Sequence, residues 1–133
     1  MDGSTRLDVR RDARGVVFEP LAAHELAGMR NVHLVVTEPG HVRGNHYHTA
    51  STEWMTVLGP ARVRTRVDGR IQESRVPEGE AWRFTFPPAV SHAVLCDGEC
   101  AGVLVAFSDA AHDPAAPDTV RDPLFTEAEL GRR

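Results

Sequence analysis

The hydrophobic and polar positions of this chain fall into short runs that either alternate strictly or consist mainly of β-branched residues. Such runs predict strands, because successive side chains of a strand point to opposite faces. Turn residues separate the runs, among them Pro39-Gly40, Asp68-Gly69 and Asp97-Gly98. The predicted strands cover residues 32–38, 53–59, 61–67, 71–76, 82–86, 92–96 and 101–107.

Short strands at this spacing predict an all-β sandwich or barrel. Helical features are confined to residues 21–28 and 126–129, and the second segment resembles a capping box. A polar segment, residues 1–14, precedes the barrel, and we expect it to be partly disordered. A tail rich in Pro, Ala and Asp, residues 108–133, follows the barrel. We expect a single domain over residues 1–133, with the tail lying over the barrel or over a partner subunit.

Composition and charge exclude several classes of function. The net charge of −4 disfavours non-specific binding to nucleic acid, which depends on the neutralisation of phosphates. All 15 basic residues are Arg, so no lysine of this chain can form a Schiff base. No apolar run approaches the roughly 20 residues of a membrane-spanning helix. The first residues lack the apolar stretch of a secretory signal, so we expect a cytoplasmic protein without nucleic-acid or membrane partners.

The chain contains two cysteines, Cys96 and Cys100, on either side of the turn signal Asp97-Gly98. This spacing suggests that the pair flanks a tight hairpin, where a disulfide is sterically conceivable. A cytosolic compartment keeps thiols reduced. We therefore predict two free thiols.

Histidines form the clearest chemical pattern of the sequence. His46 and His48 are one residue apart, so on a strand they point to the same side. Glu53 begins the next predicted strand, and two adjacent antiparallel strands would present all three side chains to one space. His92 follows the aromatic strand 82–86. Three imidazoles and one carboxylate suit a divalent Zn, Fe, Mn, Ni or Co ion, so we predict a metal site.

These residues also carry a resemblance to the cupin superfamily. Its first motif, G-x5-H-x-H-x4-E, is matched from residue 40 to residue 53, and its second motif is matched at a proline and a histidine. The resemblance covers about residues 32–107 and implies a small jelly-roll β-barrel. The matched positions are Gly40, His46, His48 and Glu53, then Pro87 and His92, whereas Ala89 replaces the usual Gly and Cys96 the usual Asn.

A finer resemblance points to sugar-nucleotide chemistry. The stretches HYHTASTE, ARVRTRV, FPPAVSH and HDPAAPDT resemble, in order and spacing, the C-terminal metal-binding cupin domain of capsular polysaccharide biosynthesis proteins. The stretch RGNHYH is more weakly similar to dTDP-4-keto-6-deoxyglucose 3,4-ketoisomerases. The first resemblance implies the ligand set His46, His48, Glu53 and His92, zinc as the metal, and epimerisation of a UDP-linked 4-keto-6-deoxy sugar.

We therefore expect a metal-dependent isomerase or epimerase that acts on a keto-sugar nucleotide or a similar carbonyl compound. A metal ion would polarise the ketone, and a side chain would move the proton of the adjacent carbon. The expected catalytic residues are Glu53, His92 and His41. His41 and His33 are both near in sequence, and the pattern does not determine which way either of them faces.

Candidate substrate contacts are arginines and one aromatic residue. Arg43 lies three residues before His46, and Arg64 lies on the strand 61–67, where arginines alternate with Val and Thr. Arginine binds phosphate or carboxylate through paired hydrogen bonds. The same alternation also suits a solvated outer face. Trp82 shares a face with two phenylalanines and is expected in the core or on the pocket wall.

Two other functions stay open at this point. One is a metal-dependent oxygenase, decarboxylase or lyase of a small acid, since the same ligands suit iron and O₂. The other is a ligand-binding cupin without catalysis. A homodimer is expected for each, because pairing would cover exposed strand edges.

Overall fold

The computed structural model describes residues 3–131 as an antiparallel β-structure with one short helix. In chain order the elements are β1 (Ser4–Arg6), β2 (Arg10–Asp12), β3 (Gly15–Val17), α1 (Ala23–Leu26), β4 (Asn31–Thr37), β5 (Val42–His48), β6 (Glu53–Leu58), β7 (Ala61–Val67), β8 (Arg70–Val76), β9 (Ala81–Phe86), β10 (His92–Cys96), β11 (Gly102–Ser108) and β12 (Thr119–Arg121). The predicted all-β jelly roll is confirmed.

Two five-stranded sheets form the barrel. The first sheet has the order β1-β9-β6-β11-β4, the second has the order β12-β5-β10-β7-β8, and β2 with β3 forms a separate hairpin. From β4 to β7, each strand belongs to the other sheet from the strand before it. Among the barrel strands of residues 3–131, only β7 and β8 are joined as a hairpin, through the predicted Asp68-Gly69 turn, where both residues have positive φ.

The Asp97-Gly98 turn does not form the expected hairpin. The strands on either side of it, β10 and β11, belong to different sheets, so residues 97–101 cross from one sheet to the other. Cys96 is buried and Cys100 is exposed, and both are free thiols as predicted.

The core lies between the two sheets and follows from the alternation of the strands. Val63 of β7 and Val57 of β6 are almost fully buried, as is Phe84 of β9. On β9 the rings of Trp82, Phe84 and Phe86 form a stack with centroids 6.3 and 6.1 Å apart. The Phe86 end of this stack is where the apolar core gives way to histidines.

Segments from both ends of the chain cover the outer faces of the sheets. Leu21 is buried against the first sheet, where Thr56 Oγ1 donates a 2.7 Å hydrogen bond to the Pro20 carbonyl. Leu124 and Phe125 are buried against the outer side of the second sheet. The expected helix 21–28 is reduced to the four residues of α1, and residues 126–131 form a turn in place of a helix.

The polar N-terminal segment is more ordered than the sequence suggests, since β1 pairs with β9 and β2 pairs with β3. Within residues 3–131, no helix is both long and apolar enough to cross a membrane.

Candidate metal centre

A bulge in β5 brings its histidines opposite β10. His46 is the register partner of His92, and Gly44 is the partner of Ala93, so Asn45 is the extra residue. Gly44 has a φ of +90°, and a Cβ at this position would lie 2.7 Å from the His92 carbonyl oxygen. Glycine is therefore required for the strand to approach β10 this closely.

The three histidines converge on one point inside the barrel. Their nearest nitrogens all lie within 4.8 Å of one another. The ring of His46 lies 5.0 Å from the rings of both His48 and His92, measured between centroids. This is the clustering that the H-x-H pattern and the later histidine predict.

Glu53 reaches the same point from the opposite sheet. Its Oε1 lies 2.9 Å from Nε2 of His92, and its Oε2 lies 3.7 Å from Nε2 of His48. The sequence predicts that Glu53 sits on a strand adjacent to the His46 strand. The structure corrects this point, because β5 and β6 face each other across the barrel and do not pair.

The outer nitrogens of two histidines are held by oxygen acceptors. His48 Nδ1 lies 2.9 Å from Asp118 Oδ1, and His92 Nδ1 lies 3.1 Å from the Val90 carbonyl oxygen. A neutral imidazole that donates from Nδ1 has a lone pair on Nε2. In this neutral form, the form that binds a metal ion, both Nε2 atoms present lone pairs toward the carboxylate of Glu53.

The inner atoms of this cluster lack hydrogen-bond partners. Among the described residues, His48 Nε2, His92 Nε2 and Glu53 Oε1 are buried and make no hydrogen bond of acceptable geometry. With His92 in its neutral, Nδ1-donating form, the 2.9 Å approach of its Nε2 to Glu53 Oε1 brings two acceptors together. A cation between them satisfies all three atoms, so the donor set fits a divalent metal ion.

The charges of the metal-free site follow from burial and proximity. Burial and the neighbouring His92 and His48 lower the pKa of His46 to about 4. Contact with Glu53 raises the pKa of His48 to about 9 against the effect of its burial. Burial opposes ionisation of Glu53, but its contacts with His48 and His92 hold its pKa below the usual range. These shifts favour an ionised Glu53 beside a protonated His48 in the metal-free site, and a metal ion would take the place of that proton on Nε2.

A cavity of about 220 Å³ opens above the site between the two sheets. His48 and Glu53 form part of its wall, together with two further histidines, His33 and His112. His33 belongs to β4, on the same face as Val35, which packs against the core. Its Nδ1 lies 3.5 Å from the side-chain nitrogen of Asn31, another residue of the wall.

His41 and Arg43 lie away from the cavity wall. His41 is exposed on the turn before β5, where its carbonyl accepts a hydrogen bond from the Cys96 amide. This turn is at the end of β5 opposite to His48. Arg43 donates from Nη2 to the Val36 carbonyl, 3.1 Å away, so it ties β5 to the edge strand β4.

Arg64 and Trp82 serve the packing of the barrel. Arg64 lies on the outer side of the second sheet, where it pairs with Glu73 and Glu129 and stacks over the Phe125 ring. The sequence pattern of this strand also suited an outer face for its arginines, and the structure places Arg64 on that outer face. Trp82 packs against the core at the other end of the aromatic stack from His92, and its Nε1 donates to Glu80.

The structure places two further residues at the site: Asp118, which the sequence did not single out, and His33, whose facing the sequence left undetermined. Asp118, in the stretch HDPAAPDT, contacts His48, but 70 positions separate the two residues and no local pattern joins them. His33 could have been found from its strand, because it alternates in phase with the inward-facing Val35.

Comparison with known proteins supports the fold and identifies a family. A family model described as the polysaccharide biosynthesis C-terminal domain matches residues 10–120. Among curated protein sequences, none matches this chain.

Solved structures of similar fold include enzymes of sugar metabolism. The capsular polysaccharide assembling protein CapF from Staphylococcus aureus is 25% identical, with a TM-score of 0.66 over 92% of this chain. The chain spans about one third of that protein, 33% of its length.

Two shorter proteins share the fold over most of this chain. A dTDP sugar isomerase from Desulfovibrio desulfuricans G20 is 17% identical, with a TM-score of 0.69 over 96% of this chain and 92% of its own. NovW, a 4-keto-6-deoxy sugar epimerase from Streptomyces spheroides, is 19% identical, with a TM-score of 0.65 over 86% of this chain and 67% of its own. At these identities the likeness establishes the fold.

Proposed function

The chain belongs to the polysaccharide biosynthesis C-terminal domain family, and we propose that it is a metal-dependent isomerase or epimerase of a nucleotide-linked keto sugar. The observation that carries the proposal is the set of buried, unpaired atoms of His48, Glu53 and His92, the first two of which line a cavity. His46, His48, His92 and Glu53 would hold the ion, and we propose zinc as its identity. The cavity gives a small molecule access to the ligands, and catalysis at an ion held by all four would require a further coordination position open to the substrate.

The chemistry needs a ketone made more electrophilic and a proton moved on the neighbouring carbon. A bound divalent ion supplies Lewis acidity for the first requirement. A side chain of the protein would move the proton, and the burial of Glu53 and His92 limits the access of bulk water to these ligands. Phe86 stacks on His92 with ring centroids 4.2 Å apart and covers this ligand with an apolar ring.

We assign the proton transfer to His33 in place of His41. His33 lines the cavity together with the ligands His48 and Glu53, whereas His41 lies at the other end of β5. Donation from Asn31 to Nδ1 of His33 would leave the proton of a neutral imidazole on Nε2. His112 lines the same cavity from the loop between β11 and β12, but a strand holds a catalytic group more firmly than a loop does.

The substrate class follows from the site and from the similar proteins together. NovW is described as an epimerase of 4-keto-6-deoxy sugars, and another protein of the same fold was solved with TDP-4-keto-6-deoxyglucose. The carbon next to a 4-keto group carries an acidic proton, which is the proton that an epimerase or ketoisomerase must move. We therefore propose a dTDP- or UDP-linked 4-keto-6-deoxy sugar, with Arg43 retained as a candidate contact to its phosphates.

The test has two stages. Elemental analysis of tag-free protein, purified without chelators, should give about one zinc per chain for a mononuclear site. The zinc protein is then mixed with each sugar nucleotide in heavy water, and we expect deuterium to enter the carbon next to the ketone. His33→Gln should abolish this exchange with zinc retained, whereas His41→Gln should leave both unchanged.

Other outcomes would favour the alternatives. Iron in place of zinc, with oxygen consumed on addition of a small acid, would favour the oxygenase, decarboxylase or lyase function. A ligand that stabilises the fold without any exchange or turnover would favour a binding protein. A chain that takes up no metal at all would contradict the proposed site.

We also propose a homodimer, formed through β4. This strand is the edge of the first sheet, and its outward side chains Val32, Leu34 and Val36 are 57%, 64% and 49% exposed. Antiparallel pairing of two copies about Leu34 would cover both the unpaired edge and these side chains. Light scattering should give the mass of two chains, and Leu34→Lys should give the mass of one.

The cytoplasm remains the proposed compartment. The free thiols of Cys96 and Cys100 are in keeping with a reducing environment.

A further inference from the structure

The three histidines of the metal centre share an outer support that comes from one distant segment. This segment, residues 118–125, is called the C-terminal strap below. Its strand β12 pairs antiparallel with β5, and Thr119 and Arg121 are the register partners of His48 and His46. The strap therefore lies along the strand that supplies two of the candidate ligands.

Each histidine is bound to the strap directly or through its neighbour in sequence. His48 contacts Asp118 at 2.9 Å. Asn45, next to His46, accepts hydrogen bonds from the amides of Leu124 and Phe125 at 2.9 and 3.2 Å. Ser91, next to His92, donates its hydroxyl proton to Asp122, which Arg66 also binds at 3.1 Å.

The contact with Asp118 differs from the others because it reaches the ligand ring itself. Asp118 uses its two oxygens for different partners. Oδ1 faces His48, whereas Oδ2 accepts hydrogen bonds from the amides of Ala50 and Ser51 and from the Ser51 hydroxyl at 3.3, 3.1 and 2.8 Å. The carboxylate is thus fixed by the loop before Glu53 and points its remaining oxygen at the imidazole.

We propose that Asp118 is a positioning residue of the metal centre and that it sets the affinity for a divalent ion through His48. By accepting the Nδ1 proton it fixes the ring orientation and keeps the lone pair on Nε2, the atom that faces Glu53. A carboxylate behind a ligating histidine also raises the basicity of the ring. The inference rests on the proposed function, because it requires that the cluster binds a metal.

The test measures the dissociation constant of Zn²⁺ by competition with a chromogenic chelator. For Asp118→Ala we expect a rise of about 10- to 100-fold, the usual effect of losing such an outer partner. Asp118→Asn, which keeps the shape, provides a second variant with an expected rise of about tenfold. Circular dichroism and thermal unfolding establish that each variant is folded before its affinity is compared.

Two controls separate the effect on His48 from a general effect on the loop. Ser51→Ala removes a bond to Oδ2 and keeps the contact with His48, so its affinity should stay within about twofold of the wild type, the additivity error of such comparisons. In a His48→Ala background, Asp118→Ala should add no more than about twofold. The downfield Nδ1 proton of His48 in the zinc protein should vanish in Asp118→Ala and persist in Ser51→Ala.

The possible failures are distinguishable. Wild-type protein that takes up no zinc overturns the proposed function and this inference with it. Wild-type protein that binds zinc while folded Asp118→Ala binds it equally well overturns this inference alone. The same holds if Asp118→Ala weakens binding as strongly without His48 as with it, because Asp118 would then act by another route.

Discussion

The imidazole ring of His92 lies parallel to the ring of Phe86, with centroids 4.2 Å apart and planes inclined by 3°. Phe86 belongs to the first sheet and His92 to the second. The contact therefore joins the two sheets at the point where the apolar core meets the candidate metal centre. The contact holds the imidazole plane of His92, the most deeply buried of the candidate metal ligands.

We expect Phe86→Leu to weaken both stability and zinc binding. The smaller side chain loses the parallel contact and leaves a gap, at a cost of about 1–2 kcal/mol in the free energy of unfolding. The matched control is Phe84→Leu, because Phe84 is equally buried and stacks on Phe86. It should lose similar stability in urea titrations but keep the zinc affinity. Equal zinc affinities for the two variants would contradict an ordering role for Phe86.

Glu53→Gln should lower zinc affinity by more than about 100-fold, beyond the loss expected for an outer partner. The amide keeps the shape of the carboxylate but removes the negative charge that faces His48 and His92. Turnover should fall with the metal content. The exposed Glu38→Gln serves as the control for purification and charge. The proposed mechanism is wrong if Glu53→Gln retains both metal and turnover.

Ala89→Gly should stabilise the protein. Ala89 occupies the position at which the resembling family usually has Gly, and its φ of 67° is left-handed. Relief of this strain outweighs the greater freedom of Gly in the unfolded chain by about 0.5–1 kcal/mol. Ala27→Gly, at a φ of −61°, should instead destabilise the protein. Thermal unfolding of both variants measures these changes in stability. A loss of stability in Ala89→Gly would contradict the prediction.

Arg64→Gln should impair stability and leave function intact. The guanidinium of Arg64 donates 2.8 Å hydrogen bonds to Glu73 and Glu129 and lies 4.0 Å over the centre of the Phe125 ring. Loss of these contacts should cost about 1–2 kcal/mol. Zinc affinity and KM should match those of the wild type. A raised KM with unchanged stability would indicate instead that Arg64 contacts the substrate.

The pH dependence of stability should reveal the ion pairs that Glu73 forms with Arg62 and Arg64. The hydrogen bond with Arg62 and the contact with Arg64 hold the pKa of Glu73 below its usual value, against the effect of burial. A lowered pKa in the folded state stabilises the protein above about pH 4.5, and this stabilisation is lost as the pH falls further. Urea midpoints at pH 6 and pH 3 should therefore differ less for Glu73→Gln than for the wild type. An identical difference would exclude Glu73 as a source of acid sensitivity.

The strands and the facing of their side chains could be predicted from the sequence, because alternation is a local property. The period of two placed Val63 and Phe84 in the core and put His46 and His48 on one side of a strand. Each end of the seven predicted strands lies within one residue of the observed end, whereas β1, β2, β3 and β12 were not predicted. The helix at residues 21–28 was overestimated, since one short turn suffices to cover the sheet there.

The partners of those side chains were decided only by the tertiary structure. Which sheet receives each strand depends on pairing between residues far apart in the chain, so the sequence could not tell that Glu53 approaches from the opposite sheet. The same pairing brings His33 and Asp118 to the cavity and leaves His41 at the far end of β5. Local periodicity determines the side of a strand on which a residue lies, whereas long-range pairing determines what that residue meets.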